Sequence, residues 1–277
     1  MGKLFGLLGY KISHSMSPVM HNDAFRELNL PHYYQLFDVK PTELKDAVLG
    51  IRALNISGFN ITIPHKVAIM EYLDEIDETA QMIGAVNTVL NRDGKLIGYN
   101  TDCDGYLSSL LNVTGERLKE MDALVLGAGG AARAVVYALA KYGVKSLTIA
   151  NRTIEKADAI AKDFCHLCHI QTCFLHDAQN HLSAYDLIVN TTSIGMSPNT
   201  DEVPVRLETI KENAVVSDII YNPLKTKFLE QAEEKGATIL NGVGMFVEQG
   251  ALAFEIWTGM KPDRKRMEQI VLKELGG

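Results

Sequence analysis

Short apolar runs alternate with helix-periodic stretches along the whole chain, and this alternation predicts an α/β protein. In the amino-terminal part, the runs predicted as strands lie at residues 4–9, 33–39, 58–63, 86–90 and 95–99. The last two are predicted to pair as a hairpin across the turn that ends at Gly94. One helix is predicted to begin with Ser17 as its N-cap and Pro18 after it, and another near His65 and Lys66.

The alternation is more regular in the second half of the chain. Its strands are predicted at residues 124–126, 146–150, about 170–174, 186–190, 214–219 and 237–240. Because helices separate these strands, we expect them to pair in parallel through right-handed crossovers. Two strong helical patterns follow, at residues 247–257 and 263–275.

These patterns divide the chain into two predicted domains. One is formed by residues 1–102 and completed by helices within about 245–277, and the other by residues 103–244. A chain of 277 residues with 47% hydrophobic side chains is long enough to form two cores.

Charge and hydropathy narrow the class of protein further. The net charge of −7 argues against nucleic acid as a partner. The chain has no apolar run that could cross a membrane and no signal-peptide cleavage site near its start, so we expect a soluble cytoplasmic protein. Monomer and homodimer are both open.

A glycine-rich turn follows the strand that ends at Leu126. Gly127, Gly129 and Ala132 fit the G-x-G-x-x-G/A fingerprint of a dinucleotide-binding Rossmann domain. Gly127 permits the sharp turn, Gly129 lets a pyrophosphate approach the main chain, and the following helix start offers free N–H groups. The alternative is a tight strand–helix turn without a ligand.

The end of the next strand indicates which dinucleotide is bound. Asn151, Arg152 and Thr153 stand where an NAD site usually has Asp or Glu for the ribose 2′-hydroxyl. A guanidinium suits the 2′-phosphate of NADP instead, so the sequence favours NADP. The alternative is that Thr153 only caps the next helix and Arg152 is solvated.

Cysteine and histidine cluster at residues 165–176 in a pattern that resembles a haem-attachment or zinc motif. Haem attachment requires an exported chain, and a zinc site would need a second spaced pair, which the sequence lacks. We therefore expect reduced thiols and no metal.

Short polar side chains gather at strand ends and loops of the amino-terminal domain: Ser15, Ser17, Asn60, Thr62, Asn87 and Thr101. Hydroxyls and amides suit a small polyhydroxylated substrate. Lys66 and Asp102 lie among them and would form an acid–base pair for carbonyl reduction, in which Lys66 stabilises the oxyanion and protonates it. The structural alternatives are an N-cap for Ser17, a solvated first-turn residue for Lys66 and a helix cap for Asp102.

Eight separated motifs, in order over nearly the whole chain, carry a resemblance to a known family. They are Ser13–Pro18, Gly58–Lys66, Gly84–Thr88, Gly98–Asp102, Gly127–Ala131, Asn151–Thr153, Asn190–Thr192 and Asn241–Met245 with Gln249. Together they resemble shikimate dehydrogenase. The resemblance implies an amino-terminal α/β substrate domain and a Rossmann-type NADP-binding domain, separated by a cleft. It also implies reversible NADPH-dependent reduction of 3-dehydroshikimate to shikimate in aromatic amino-acid biosynthesis.

The resemblance also implies which side chains bind the substrate: Ser15, Ser17, Thr62, Asn87, Tyr221 and Gln249. Ser15 and Ser17 are implied to hold its carboxylate and Tyr221 to add a contact, while the others bind its hydroxyls. Lys66 and Asp102 are implied to be the catalytic pair.

A second implied set binds the cofactor: Glu78, Gly127, Ala128, Gly129, Gly130, Ala131, Asn151, Arg152, Thr153, Ile219, Gly242 and Met245. Residues 127–131 are implied to cradle the pyrophosphate and residues 151–153 to take the adenosine phosphate. Ile219, Gly242 and Met245 line the nicotinamide side, and the acidic member of the set lies near the cofactor.

Two competing functions differ from this one. A quinate/shikimate dehydrogenase that prefers NAD is the nearest, and Arg152 argues against it. A non-catalytic sensor that binds the dinucleotide to regulate a partner is the second. Such a sensor could lose Lys66 or Asp102 without consequence, yet the chain has both.

Overall fold

The computed structural model describes residues 2–276 of the chain. The chain divides into two compact units. The first consists of the part up to Asp102 together with the part from Val247 onward, and the second of Cys103–Phe246. Each unit has its own six-stranded sheet, so the predicted α/β class is confirmed.

The first unit contains a mixed sheet and the helices that connect its strands. Its amino-terminal elements are β1 (Leu4–Gly9), α1 (Ser17–Glu27), β2 (Tyr33–Asp38), α2 (Leu44–Ala53), β3 (Gly58–Ile61), β4 (Glu75–Ile76), α3 (Glu78–Ile83), β5 (Thr88–Arg92) and β6 (Lys95–Tyr99). The sheet order is β2-β1-β3-β5-β6-β4. β1 pairs in parallel with β2 and β3, whereas β5 is antiparallel to β3 and β6, as the predicted hairpin requires.

Two local predictions in this unit are wrong. Ser17 is the first residue of α1 rather than its N-cap, because Ser15 upstream accepts the Ser17 N–H and Met16 occupies the cap position. The helix predicted near Lys66 is absent from that position, and the chain turns there before a short 3-10 helix at Ala68–Tyr72. The Lys66 carbonyl accepts a hydrogen bond from Val86 N at 2.8 Å, so a neighbouring segment uses it in place of a helical partner.

The second unit alternates strands and helices with few exceptions. Its elements are α4 (Asp102–Thr114), whose first residue still belongs to the first unit, and then β7 (Asp122–Leu126), α5 (Gly130–Tyr142), β8 (Ser146–Asn151), α6 (Ile154–Phe164), β9 (Ile170–Phe174), α7 (Leu175–Gln179), β10 (Leu187–Asn190), β11 (Val215–Asp218), α8 (Lys227–Glu234) and β12 (Thr238–Leu240). All strand pairs are parallel, in the order β12-β11-β10-β7-β8-β9. This is the strand order of the Rossmann fold, with its switch point between β7 and β10.

Two carboxyl-terminal helices complete the chain, α9 (Val243–Thr258) and α10 (Arg264–Glu274). Residues from Val247 onward belong to the first unit. There Trp257 stacks on Phe5 of β1, with ring centroids 5.1 Å apart, and donates its indole N–H to Val89 O of β5 at 3.0 Å. The first unit's core is therefore built from both ends of the chain.

Candidate active site

Lys66 and Asp102 form an ion pair in the first unit. Lys66 Nζ donates to Asp102 Oδ2 at 2.6 Å, and the two side chains are only 13% and 5% exposed. An ammonium and a carboxylate at this distance are joined by a charge-assisted hydrogen bond, which fixes the direction of both. Lys66 is half-buried, so its side chain keeps some contact with solvent.

The Asn87 amide orients Asp102 from the other side. Asn87 Nδ2 donates to Asp102 Oδ1 and to Thr101 Oγ1, both at 2.9 Å. Its oxygen accepts from Thr101 N at 2.7 Å and from Thr88 Oγ1 at 3.1 Å. Because the main-chain N–H of Thr101 can only donate, it fixes the amide so that the NH₂ group faces the carboxylate.

The sheet brings these side chains together from separate segments. Lys66 follows β3, Asn87 precedes β5 and Asp102 follows β6. Because β5 is antiparallel to both neighbours, the end of β3, the start of β5 and the end of β6 meet at one edge of the sheet. Asn60, near the end of β3, reaches the same network through Thr88 Oγ1 at 3.0 Å.

The remaining residues predicted to bind substrate in this unit lie nearby in sequence but differ in how they are held. Ser15 Oγ donates to Ser17 Oγ at 3.1 Å, so the two hydroxyls form a pair between β1 and α1. Thr62 is partly buried and its N–H donates to Leu8 O at 2.9 Å. Gln249 Oε1, on α9, accepts from Asn87 Nδ2 at 3.4 Å and thus joins the network around Asp102.

In the second unit the glycine loop joins β7 to α5. Gly127 has a φ of +110°, and a Cβ there would lie 2.7 Å from Thr191 Oγ1, so only glycine fits. Gly129 is the N-cap of α5, and no atom would lie within 4 Å of an added Cβ. The helix start therefore opens onto free space, as a pyrophosphate requires.

The segment after β8 presents polar groups to solvent. Asn151 Nδ2 donates to Thr153 O at 2.8 Å, which tightens the turn, while Arg152 and Thr153 are exposed. Thr153 occupies the N-cap of α6, but its side chain makes no capping hydrogen bond. Its hydroxyl and the Arg152 guanidinium are therefore available to an anionic ligand.

Ile219, Gly242 and Tyr221 lie around one loop that follows β11. Gly242 N donates to Ile220 O at 2.9 Å, and a Cβ on Gly242 would collide with the main chain of Ile219 and Ile220. The Tyr221 ring stacks on Phe246 with centroids 4.2 Å apart. The fourth residue predicted here, at position 245, is a buried methionine of α9.

Glu78 is the one predicted cofactor residue that belongs to the first unit. It is exposed at the first position of α3, directly after Asp77, which caps that helix by accepting Thr79 N at 3.0 Å. A carboxylate at a helix start is favourably placed with respect to the helix dipole.

The sequence interpretation missed Asp218. This residue ends β11 and is 1% exposed, and its carboxylate accepts hydrogen bonds from Asn190 Nδ2, Ile220 N and Thr226 Oγ1. Burial raises the pKa of Asp218 to about 6, and the three hydrogen bonds partly oppose this shift. An Asp at the end of an apolar run in a Rossmann unit is the signal that could have identified it.

Within residues 2–276, no group of three or more His, Cys, Asp or Glu side chains is arranged to hold a metal ion. The four cysteines are free thiols, and Cys165 is exposed. Over the same residues, the structure contains no helix with the length and apolar character needed to span a bilayer.

Comparisons with known proteins agree with the motifs. Family models match at residues 7–89 (shikimate dehydrogenase substrate binding domain), 109–219 (shikimate / quinate 5-dehydrogenase) and 242–272 (shikimate 5′-dehydrogenase C-terminal domain). The curated shikimate dehydrogenase (NADP(+)) of Bacillus cereus strain AH187 is 52% identical over 277 residues, which is 100% of each chain.

Solved structures agree as well. A shikimate dehydrogenase in complex with NADP+ is 46% identical, with a TM-score of 0.92 over 99% of this chain and 96% of the other. Shikimate 5-dehydrogenase of Thermus thermophilus, in complex with NADP(H) and shikimate, is 37% identical, with a TM-score of 0.87 over 98% and 99%. The chain therefore belongs to the shikimate dehydrogenase family.

Proposed function

We propose that this chain catalyses the reversible NADPH-dependent reduction of 3-dehydroshikimate to shikimate. The observation that carries the proposal is the part-buried contact of 2.6 Å between Lys66 Nζ and Asp102 Oδ2. It supplies a positioned proton donor next to a carboxylate that orients it, which carbonyl reduction requires. A protein that only senses the dinucleotide has no use for this pair.

In the proposed reaction, Lys66 acts on the substrate carbonyl oxygen. When bound, the reduced nicotinamide supplies the hydride. As negative charge develops on the oxygen, the Lys66 ammonium stabilises it and then donates the proton. Asp102 keeps the ammonium in place and accepts a hydrogen bond from a substrate hydroxyl. Asn87 fixes the plane of the Asp102 carboxylate. In the reverse direction the same pair removes the hydroxyl proton.

The proposed substrate contacts use neutral donors. Ser15 and Ser17 would bind the substrate carboxylate through hydroxyls, and Thr62 and Gln249 would bind ring hydroxyls beside Asn87. Neutral donors bind an anion less strongly than a guanidinium does, so we expect modest substrate affinity. Tyr221 is proposed as a further contact.

The glycine loop and the segment after β8 fit NADP. Gly129 leaves open space in front of the first N–H groups of α5, which suits the pyrophosphate. Arg152 is exposed and can bind the 2′-phosphate with two parallel hydrogen bonds. Ile219, Gly242 and Met245 are proposed to hold the nicotinamide, with Glu78 near the cofactor.

Steady-state kinetics with shikimate and quinate, each with NADP+ and NAD+, tests the proposal directly. We expect the highest kcat/KM for shikimate with NADP+. A higher kcat/KM for quinate with NAD+ would establish the competing dehydrogenase, and tight dinucleotide binding without turnover would establish the sensor. Light scattering separates monomer from homodimer, on which the chemistry does not depend because one chain carries Lys66 and Asp102.

A further inference from the structure

Asp218 connects three segments of the second unit through its carboxylate. Oδ1 accepts from Asn190 Nδ2 at 3.1 Å and from Ile220 N at 3.0 Å, and Oδ2 accepts from Thr226 Oγ1 at 2.8 Å. These partners lie at the end of β10, in the loop after β11 and at the N-cap of α8. One buried carboxylate therefore fixes the loop after β11 relative to the elements on both sides.

Both main-chain polar groups of Ile220 are hydrogen-bonded. Asp218 accepts its N–H, and Gly242 N donates to its carbonyl oxygen at 2.9 Å. Ile219 N also donates to Asn190 O at 3.1 Å, which continues the pairing with β10 beyond the strand. The main chain of Ile219 and Ile220 is thus held by hydrogen bonds on several sides, and the Tyr221 ring stacks on Phe246.

The segment Ile219–Tyr221 contains two residues of the proposed site. Ile219 is proposed to lie beside the nicotinamide, and Tyr221 to contact the substrate. A shift of this segment by about 1 Å would misplace both and could slow the reaction about a hundredfold. A carboxylate is costly to bury, and an apolar side chain of the same size would leave the Ile220 N–H without an acceptor.

We propose that Asp218 is a positioning residue for the reaction, because its carboxylate sets the orientation of the Ile219–Tyr221 segment and so of the Tyr221 side chain presented to the substrate. The inference rests on the proposed function. It differs from a purely structural role, in which Asp218 would only support the fold of the second unit and leave the kinetic constants of folded enzyme unchanged.

Two substitutions at the same position separate these roles. Asp218→Val keeps the approximate volume but removes every acceptor. Asp218→Asn keeps one oxygen for Ile220 N and Asn190, while its NH₂ group can donate to Thr226 Oγ1.

In folded protein at 25 °C, we expect Asp218→Val to raise the KM for shikimate about tenfold and to lower kcat about tenfold. The Kd of NADPH, followed by its fluorescence, should change less than about twofold because its phosphates bind other loops. Asp218→Asn should restore both kinetic constants to within about threefold of the wild type.

Asp186 provides a matched control at the opposite end of the same sheet. Asp186 directly precedes β10. Its carboxylate accepts hydrogen bonds from Asp122 N at 3.0 Å and from Lys211 Nζ at 2.8 Å. We expect Asp186→Val to lower the Tm but to leave the KM for shikimate and kcat unchanged. Equal kinetic losses in the Asp186 and Asp218 variants would overturn the positioning role.

The outcomes distinguish this inference from the proposed function. If the wild type turns over shikimate and folded Asp218→Val has wild-type constants, only the positioning role is overturned. If the wild type itself has no turnover, both the proposed function and the positioning role are overturned. Should Asp218→Val fail to fold, Thr226→Val is compared with Thr226→Ser, which keeps the hydroxyl bonded to Asp218 Oδ2. We expect Thr226→Val to raise the KM for shikimate about threefold and Thr226→Ser to leave it unchanged. Identical constants in these two variants would overturn the role.

Discussion

The two units carry their polar groups in different ways. In the second unit, the candidate cofactor groups come mostly from short consecutive segments, Gly127–Ala131 and Asn151–Thr153, and the main chain is proposed to supply many of the donors. In the first unit, Lys66 and Asp102 follow two strands, Asn87 precedes a third, and the three meet through side-chain hydrogen bonds. A consecutive motif can be found in a sequence by itself, whereas a site assembled from distant segments depends on the sheet that joins them.

The two sheets explain this difference. The parallel second sheet places all its strand ends at one edge, so loops there can bind a ligand with little help from side chains. The mixed first sheet brings a strand start, Thr88, between two strand ends. We therefore expect activity to be most sensitive to the loss of polar side chains in the first unit. In the second unit, the most damaging changes should be glycine substitutions that disturb the main chain.

The largest expected effect is on catalysis by the first unit. Lys66→Ala should lower kcat about a thousandfold and leave the KM for shikimate nearly unchanged, because the lost group acts on the developing oxyanion. Steady-state measurement of NADP+ reduction at varied shikimate concentration gives both constants. Lys95→Ala, an exposed lysine of the same unit, is the control. A large rise in KM at unchanged kcat would mean that Lys66 serves binding and not chemistry.

The next effect concerns the main chain of the second unit. Gly242→Ala should destabilise the protein by about 3 kcal/mol, because the new methyl group would collide with the main chain at Ile219 and Ile220. Gly129→Ala is the matched variant, since a Cβ there meets open space. It should lower stability by no more than about 1 kcal/mol, the cost of alanine at an N-cap, yet weaken NADPH binding. Urea unfolding and fluorescence titration report the two properties, and unaltered NADPH affinity in Gly129→Ala would refute the proposed pyrophosphate contact.

A smaller effect is expected at the exposed Arg152. Arg152→Ala should raise the KM for NADP+ about thirtyfold, because charge-assisted hydrogen bonds to the 2′-phosphate are lost. The KM for NAD+ should stay within about twofold. Arg117→Ala removes another exposed guanidinium from the same unit and should leave both constants unchanged. Equal losses for the two coenzymes would show that Arg152 does not recognise the 2′-phosphate.

Acidification should change local stability near His21, in the first unit, and near Asp218, in the second unit, in opposite directions. Burial lowers the pKa of His21, in the first unit, from 6.5 to about 3. Its ring nitrogens have no hydrogen-bond partner within the described residues. Between these two pKa values the unfolded chain binds a proton at His21 and the folded chain does not. The contribution of neutral His21 to stability is therefore fully present above pH 6.5 and is lost as the pH falls toward about 3. The expected slope is at most about 1.4 kcal/mol per pH unit.

Asp218 of the second unit has the opposite sign. Its pKa rises from 3.8 to about 6, so the folded state holds the proton between these values. Its contribution to stability is fully present below pH 3.8 and is lost as the pH rises through 6. On acidification from about pH 7 to about pH 5, hydrogen exchange corrected for intrinsic rates should therefore show less protection near His21 and more near Asp218. His21→Phe and Asp218→Asn should each flatten the response of their own unit, and parallel changes in both units would contradict the assignment.

The fold of the second unit followed from the sequence more closely than that of the first. β9 was predicted at about 170–174 and lies at Ile170–Phe174, because a regular strand–helix alternation leaves few choices for each segment. In the first unit, β4 has two residues and gives no period to detect. The turn at Lys66 depends on a hydrogen bond from Val86, which no local pattern reveals.

The candidate site was also predictable only in part. Lys66 and Asp102 stood out as ionisable groups among short polar residues, and the structure brings them into contact. The number of bonds made by the Asn87 amide and the buried network of Asp218 were not predictable, because both depend on strand register between distant segments. The roles of the individual binding residues remain predictions.

The order of synthesis has a consequence for the first unit. Trp257 of α9 leaves the ribosome long after β1 and β5, whose Phe5 ring and Val89 carbonyl it contacts. During the intervening translation of about 150 residues, at roughly 5–20 residues per second, the nascent first unit must wait with an exposed aromatic surface. The second unit, which is contiguous in the chain, can complete its own core in that interval.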